Sequence, residues 1–332
     1  MADPKRYYIT TNIKEKGPFI VITEDNVFNS YGICSFRLTK PDVDLNKVTI
    51  ETDLRKQYSE TYPKKFYLAV YYKGVKMKKT QLIGEGSYGK VWRFEILDKN
   101  NEHITIALKI ALEDLEEESK ILTNLLNNIK CKTSVIPIRA VRDEEKNPFI
   151  IMQEANSTLR SLKMDERLIK KIIYQITKSI ECFYKYGVFY LDLKTENILY
   201  QCNNDKISVF LGDIGSFAGI GGVSLATFMP PEALAAKRPK ADKAYMFFTL
   251  GAFYADLYNL ADDIMFEKEG VMGKGTWKTR KSFIEHYYPK FTKKIIYSNI
   301  PEKLKSVILK FTQINAKERS KLDFVLVYDI YE

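Results

Sequence analysis

YLDLKTENIL, residues 190–199, places a carboxylate at Asp192, an ammonium at Lys194 and a carboxamide at Asn197 within six positions. Each group has its own capacity: a carboxylate orients a hydroxyl and takes up its proton, an ammonium offsets phosphate charge, and an amide oxygen holds a hard cation. A polar connection with no chemistry would draw on the same residue types, so the surroundings decide. Before it, Leu168, Ile172, Ile176 and Ile180, with Ile169 and Ile173 alongside, recur at the spacing of one helix face, and Gly187 can close that helix. After it, NILY and ISVFLGD flank the turn residues CNNDK and read as a hairpin. The decapeptide is therefore expected on a loop between a long helix and a strand. Asp213, in LGDIGS, is expected at the end of the hairpin's second strand, where a carboxylate can chelate Mg²⁺ bridging phosphates. A strand-terminating turn aspartate would look the same.

Toward the N-terminus, GEGSYGKV sets Gly84, Gly86 and Gly89 between two strand-like runs. Lacking Cβ atoms, glycines let backbone amides approach phosphate oxygens, although a plain glycine-rich hairpin gives the same pattern. WRFEIL continues as a strand where a dinucleotide fingerprint needs a helix, and no Gly-Lys-Ser/Thr follows, which excludes the P-loop. Lys109, in IALKI, is an ammonium set in an apolar strand-like run. Glu118 lies on the acidic helical stretch 113–126 with Leu122 and Leu125 at i+4 and i+7, so it can face inward and pair with that lysine. Glu116 and Glu117 are rival partners. Paired in this way, Lys109 would be placed to neutralise the α- and β-phosphates of a nucleotide.

Taken in order, the glycine cluster, the lysine, the helix glutamate, the DLKxxN loop and the DxG turn resemble the eukaryotic protein kinase family, from about Lys78 to the C-terminus. GEGSYGKV is similar to the family's glycine-rich loop, IALK to its Ala-x-Lys strand, DLKTEN to its catalytic loop, DIG to its metal-binding turn, and MQEANSTL to its hinge with Met152 as gatekeeper. The resemblance implies an α+β bilobal fold, with a β-rich N-lobe over about 78–152 and a helical C-lobe over about 156–332. It also implies ATP with Mg²⁺, or Mn²⁺ in its place. By position, Asp192 would orient or deprotonate a hydroxyl, Lys194 would stabilise developing charge, and Asn197 and Asp213 would hold the metal. Lys109, fixed by Glu118, would place the phosphates beneath Gly84, Gly86 and Gly89, while Val91, Ala107, Met152 and Glu154 would enclose adenine. Pro230, Pro231 and Glu232 with Arg319 resemble the pair that anchors the peptide-docking half, which implies a protein substrate. Lys194 is typical of serine/threonine kinases.

Several positions depart from the family pattern. Leu191 replaces the arginine that binds a phosphorylated activation segment, so activity is expected not to need that phosphorylation. Tyr190 replaces histidine and Ile214 phenylalanine, both still able to stack in an apolar column joining the lobes. Met246 replaces the aspartate of a buried helix, with Asp242 one turn earlier, which weakens support for the catalytic-loop backbone. Ser224 and Thr227 both remain candidates for the substrate-loop threonine. Such departures would suit a viral or bacterial effector kinase. They also motivate a rival reading, a pseudokinase that binds nucleotide or partners as a scaffold.

The rest of the chain sets bounds. At 332 residues, 45% hydrophobic and 13% aromatic, it can build a sizeable core, which excludes disordered and collagenous classes. Residues 1–77 carry β-prone runs, PFIVITED, ICSFRLT, KVTIET and KKFYLAVYY, and are expected to form a β-rich extension or accessory domain. Cys34, Cys131, Cys182 and Cys202 show no CxxC pair and are expected as free thiols in a reducing compartment, with a cytoplasmic location. The N-terminus lacks an apolar leader, and the apolar run from Ala244 to Ala255 is twelve residues, short of the roughly 20 that span a bilayer, so no membrane partner is expected. His103 and His286 are isolated, which argues against a histidine metal site or a Ser/His/Asp triad. A net charge of +10 and the basic run GVMGKGTWKTRK, 270–281, favour acidic partners in general, but lysine on solvated faces accounts for both, and nucleic acid is not the expected partner.

Overall fold

The computed structural model describes residues 7–8, 21–22, 43–53, 67–86, 89–97, 103–111, 131, 138–142, 148–203, 206–213, 217–219, 227–233, 241–265 and 279–330. Among them, β1 (Tyr7–Tyr8) and β2 (Val21–Ile22) pair with each other. β3 (Val48–Asp53), β4 (Tyr67–Tyr72) and β5 (Val75–Lys76) make a three-stranded antiparallel sheet. β6 (Lys78–Gly86), β7 (Gly89–Leu97), β8 (His103–Ala111), β9 (Ile138–Arg142) and β10 (Pro148–Gln153) form a five-stranded antiparallel sheet in the order β6-β7-β8-β10-β9. The β-prone run ICSFRLT and the acidic stretch 113–126, with Glu116, Glu117 and Glu118, lie outside the described residues.

Alternation gives the five-stranded sheet two faces of different chemistry. Phe94, Ile104, Ile106, Leu108, Phe149 and Ile151 point to one side and are buried. Against them pack Val48, Val70, Tyr72 and Met77 from the preceding sheet and connection, forming one apolar cluster between two sheets. The β-prone N-terminal runs near 47–72 therefore supply a cover for the outer face of this lobe. The opposite side carries Val91, Arg93, Ala107, Lys109, Ile150 and Met152, and faces the rest of the chain.

Beyond Gln153 the chain is chiefly helical. β11 (Ser157–Thr158) leads into α1 (Glu166–Lys185), β12 (Val188–Tyr190), β13 (Ile198–Asn203), β14 (Lys206–Leu211), β15 (Phe217–Gly219) and α2 (Lys243–Asp256). After a π-helical stretch, Phe283–Tyr287, come α3 (Tyr288–Tyr297), α4 (Glu302–Thr312), α5 (Ala316–Ser320) and α6 (Val325–Tyr328). The α1 stripe folds as its spacing requires: Leu168, Ile169, Ile172, Ile173, Ile176 and Ile180 are all buried. Asp165 caps it by accepting from the Leu168 amide at 2.7 Å, and Gly187 takes the left-handed φ of +70° just past its end. The apolar run 244–255 is α2, buried on every side as the axis of the helical lobe. Among the described residues no helix is long and apolar enough to cross a membrane. The architecture is the bilobal α+β one, a β-rich lobe followed by a helical lobe.

One sequence expectation is overturned. Cys131, in the connection between β8 and β9, is bonded to Cys182 on α1, with Cα atoms 6.0 Å apart. Cys202 is disulfide-bonded as well. Free thiols are thus absent among the described residues, and Cys34 lies outside them. The bonded pair is separated by 51 positions, so it is adjacent in space only, and no local spacing announces it. The bond ties a connection of the β-rich lobe to the first long helix of the other lobe.

Candidate functional site

The two lobes meet where β8, β10, the loop after β12 and the end of β14 converge. Val91 pairs with Lys109 and Ala107 with Met152 across neighbouring strands, so these side chains share one face, with Gly84 opposite Val91. At the turn between β6 and β7, Gly86 pairs with Gly89. From this face the Lys109 ammonium reaches Asp213, 3.7 Å from its Oδ1. Residues more than a hundred positions apart are thereby brought to one place.

Asp213 lies two residues past the end of β14 and adopts a φ of +40°, which a side-chain-bearing residue rarely does. The backbone before it is held from two sides. Gly212 N–H donates to the Asn197 carbonyl at 2.8 Å, and the Gly212 carbonyl accepts from the buried Tyr190 hydroxyl at 2.7 Å. Position 212 admits nothing larger than glycine, because a Cβ would lie 2.8 Å from the Asn197 oxygen. Tyr190 was expected to contribute apolar stacking. Its ring is buried, and its hydroxyl adds a polar tie to the Asp213 turn. Ile214 lies outside the described residues.

Asp192 sits in a net of donors. Its Oδ1 accepts from the Thr227 amide at 2.8 Å, and its Oδ2 meets the Lys194 ammonium at 2.8 Å and accepts from Asn197 Nδ2 at 2.9 Å. Lys194 also donates to Thr227 Oγ1 at 3.0 Å. Of the two substrate-loop candidates, Thr227 is thus placed beside Asp192 and Lys194, whereas Ser224 lies outside the described residues. Leu191 and Leu193 alternate with these polar residues and are fully buried, which anchors the loop in the core.

The sequence pointed to weakened support beneath this loop, because Met246 stands in α2 where the family resemblance implies an aspartate. Met246 is buried and Asp242 caps α2, accepting from the Tyr245 amide at 2.7 Å. Support comes instead from the other end of the same helix. Asp256 Oδ2 accepts from the Thr195 amide at 2.9 Å. Burial pushes the Asp256 carboxyl above its ordinary value, with the Thr195 amide opposing. The one signal in the sequence was a carboxylate closing a long apolar run. Further out, the buried Arg319 guanidinium pairs with Glu232 and donates to the carbonyls of Ala244 at 3.0 Å and Ile314 at 3.1 Å, joining α5 to the segment before α2.

At the hinge end, Met152 is partly buried and Ala107 fully so. Glu154, expected to help enclose a base, has its side chain buried and paired with Arg93 of β7, a residue the sequence did not single out.

Among the described residues no group of three or more His, Cys, Asp or Glu is arranged to hold a metal. The donors near the cleft nevertheless fit a hard cation bound together with phosphates. Asp213 offers a carboxylate, and Asn197 commits its amide N–H group to Asp192, leaving its side-chain oxygen as the end for a cation.

Comparison with known proteins agrees with this geometry. The family described as protein kinase domain matches residues 77–328. The serine/threonine-protein kinase unc-51 of Caenorhabditis elegans is 24% identical over 278 residues, covering 74% of this chain and 30% of that protein. A probable serine/threonine-protein kinase of Dictyostelium discoideum is 28% identical over 148 residues, covering 41% of this chain. The chain spans 30% of the length of each of these relatives. A match from the first residues of the five-stranded sheet to α6, laid over a cleft where Lys109 meets Asp213, makes this chain a member of the protein kinase family.

Proposed function

We propose that this chain transfers the γ-phosphoryl group of ATP to serine or threonine hydroxyls of a protein. The observation that carries this reading is the meeting of Lys109 with Asp213 beside the Asp192–Lys194–Thr227–Asn197 net. In the reaction the acceptor oxygen bonds to the γ-phosphorus, the bond from that phosphorus to the β–γ bridging oxygen breaks, and ADP leaves. Asp192 orients the hydroxyl and takes its proton. Lys194, already on Asp192 and Thr227, sits where the transferring oxygens gain charge. Lys109 neutralises the phosphates of the bound nucleotide, beneath the backbone at Gly84, Gly86 and Gly89. Asn197 and Asp213 are the residues that would hold Mg²⁺, which when bound neutralises phosphate charge and fixes the phosphate geometry.

Positioning and electrostatics are the whole of this catalysis, so Asp192→Asn should nearly abolish turnover while leaving the fold intact. The test is transfer of radiolabelled phosphate from ATP to a mixed protein acceptor. Equal labelling by wild type and Asp192→Asn would overturn the assignment of Asp192. Nucleotide binding with no transfer by wild type would replace this reading with a scaffold one, for which Leu191 and Met246 are the motivating departures.

A further inference from the structure

We propose that Arg93 is the outer ceiling of the base site, a planar guanidinium held in place by a carboxylate and a carboxamide oxygen so that a purine ring stacks against it. The proposal rests on the reading of the cleft as a nucleotide site. Arg93 pairs with Ala107 across β7 and β8 and with Gln81 across β6 and β7, and Ala107 pairs with Met152. It is two residues from Val91, which pairs with Lys109, so Arg93 projects on the cleft side of the sheet. Ala107 ends at Cβ and leaves room for the longer side chain to cross over it to Glu154, the first residue beyond β10.

The geometry of the guanidinium defines what it can bind. Its Nε donates to Glu154 Oε1 at 2.8 Å, Nη2 also engages that oxygen, and Nη1 donates to Gln81 Oε1 at 3.1 Å. Each guanidinium nitrogen thus donates to a side chain of the protein, which fixes the plane, and the group turns its flat cationic face to a ligand. A planar cation of this kind stacks on an aromatic ring. The Glu154 side chain is 4% exposed and that of Arg93 is 31% exposed, so a buried anchor holds a group that still reaches the cleft. Position settles the ligand class. Phosphates belong with Lys109, Asp213 and the glycine turn, whereas Arg93 stands at the hinge end, in the row of Ala107 and Met152.

Isothermal titration of the full chain with ATP, with adenosine and with tripolyphosphate separates the possibilities. Arg93→Ala should weaken ATP and adenosine about tenfold, the size of a partly desolvated cation–π contact, and leave tripolyphosphate unchanged. Arg93→Lys keeps the charge without the plane and should not restore adenosine. Because Arg93→Ala takes the guanidinium away from the Glu154 carboxylate, the double variant Arg93→Met, Glu154→Gln removes both charges together and should show the same selective loss. Adenosine binding unchanged in these variants would overturn the proposal, as would equal losses for adenosine and tripolyphosphate. A wild-type chain that binds neither ATP nor adenosine would instead sink the nucleotide-site reading beneath it.

Discussion

The Tyr190 hydroxyl holds the Gly212 carbonyl, next to the positive φ of Asp213. Removing the hydroxyl leaves a buried carbonyl without that donor, so Tyr190→Phe should cost about 1–3 kcal/mol in urea denaturation, with no change in far-ultraviolet circular dichroism. Leu191 is fully buried, and no guanidinium extends from that position to meet a phosphate. Phosphatase treatment should therefore leave the proposed phosphoryl transfer unchanged in a labelling assay. Asp256 makes a pH prediction. Its folded carboxyl titrates above the ordinary 3.8, so the folded state binds the extra proton, and this group's contribution is full below that value and lost as pH rises through the folded pKa. Asp256→Asn keeps an acceptor for the Thr195 amide, and its Tm should gain on wild type as pH climbs from about 4 to neutrality. The meeting of Asp192, Lys194 and Asn197, and of Lys109 with Asp213, was legible from residue type and order. Arg93 and Asp256 were not, because their roles come from partners 61 positions away in each case.

The helices and strands were read where periodicity was unbroken. α1 declares itself through a stripe, and the hairpin of β13 and β14 through two apolar runs around CNNDK. β12 and β15 are three residues each and, among the described residues, pair with one another alone, too short for any pattern to show. α2 is apolar on every side and has no period, yet the sequence reading placed a buried helix there, and the structure has one. Its packing is tight enough to specify glycine: a Cβ on Gly251 would lie 2.6 Å from Phe311 Cβ on α4. Gly251→Ala should lower stability by about 1–3 kcal/mol through overpacking, against the modest gain alanine brings to an exposed helix, and thermal melts distinguish the two signs.

The molecule as a whole is held by two lobes' cores and by covalent bonds that composition alone did not disclose. Cysteine count and spacing say which folds lack a local motif, but not which distant thiols the fold brings together. Replacing both Cys131 and Cys182 by alanine should reduce stability by about 2–4 kcal/mol, measured by denaturant titration. The sheet of β3, β4 and β5 was expected as part of a β-rich extension or accessory domain, because nothing in its own pattern says what it rests on. Its place over Ile106, Leu108 and Ile151 bears on how the chain can be divided. The family match begins at residue 77, which invites cutting there. A fragment starting at Lys78 would bare a contiguous oily strip along the back of the roof, and it should light up hydrophobic dyes and elute from size exclusion as multimers.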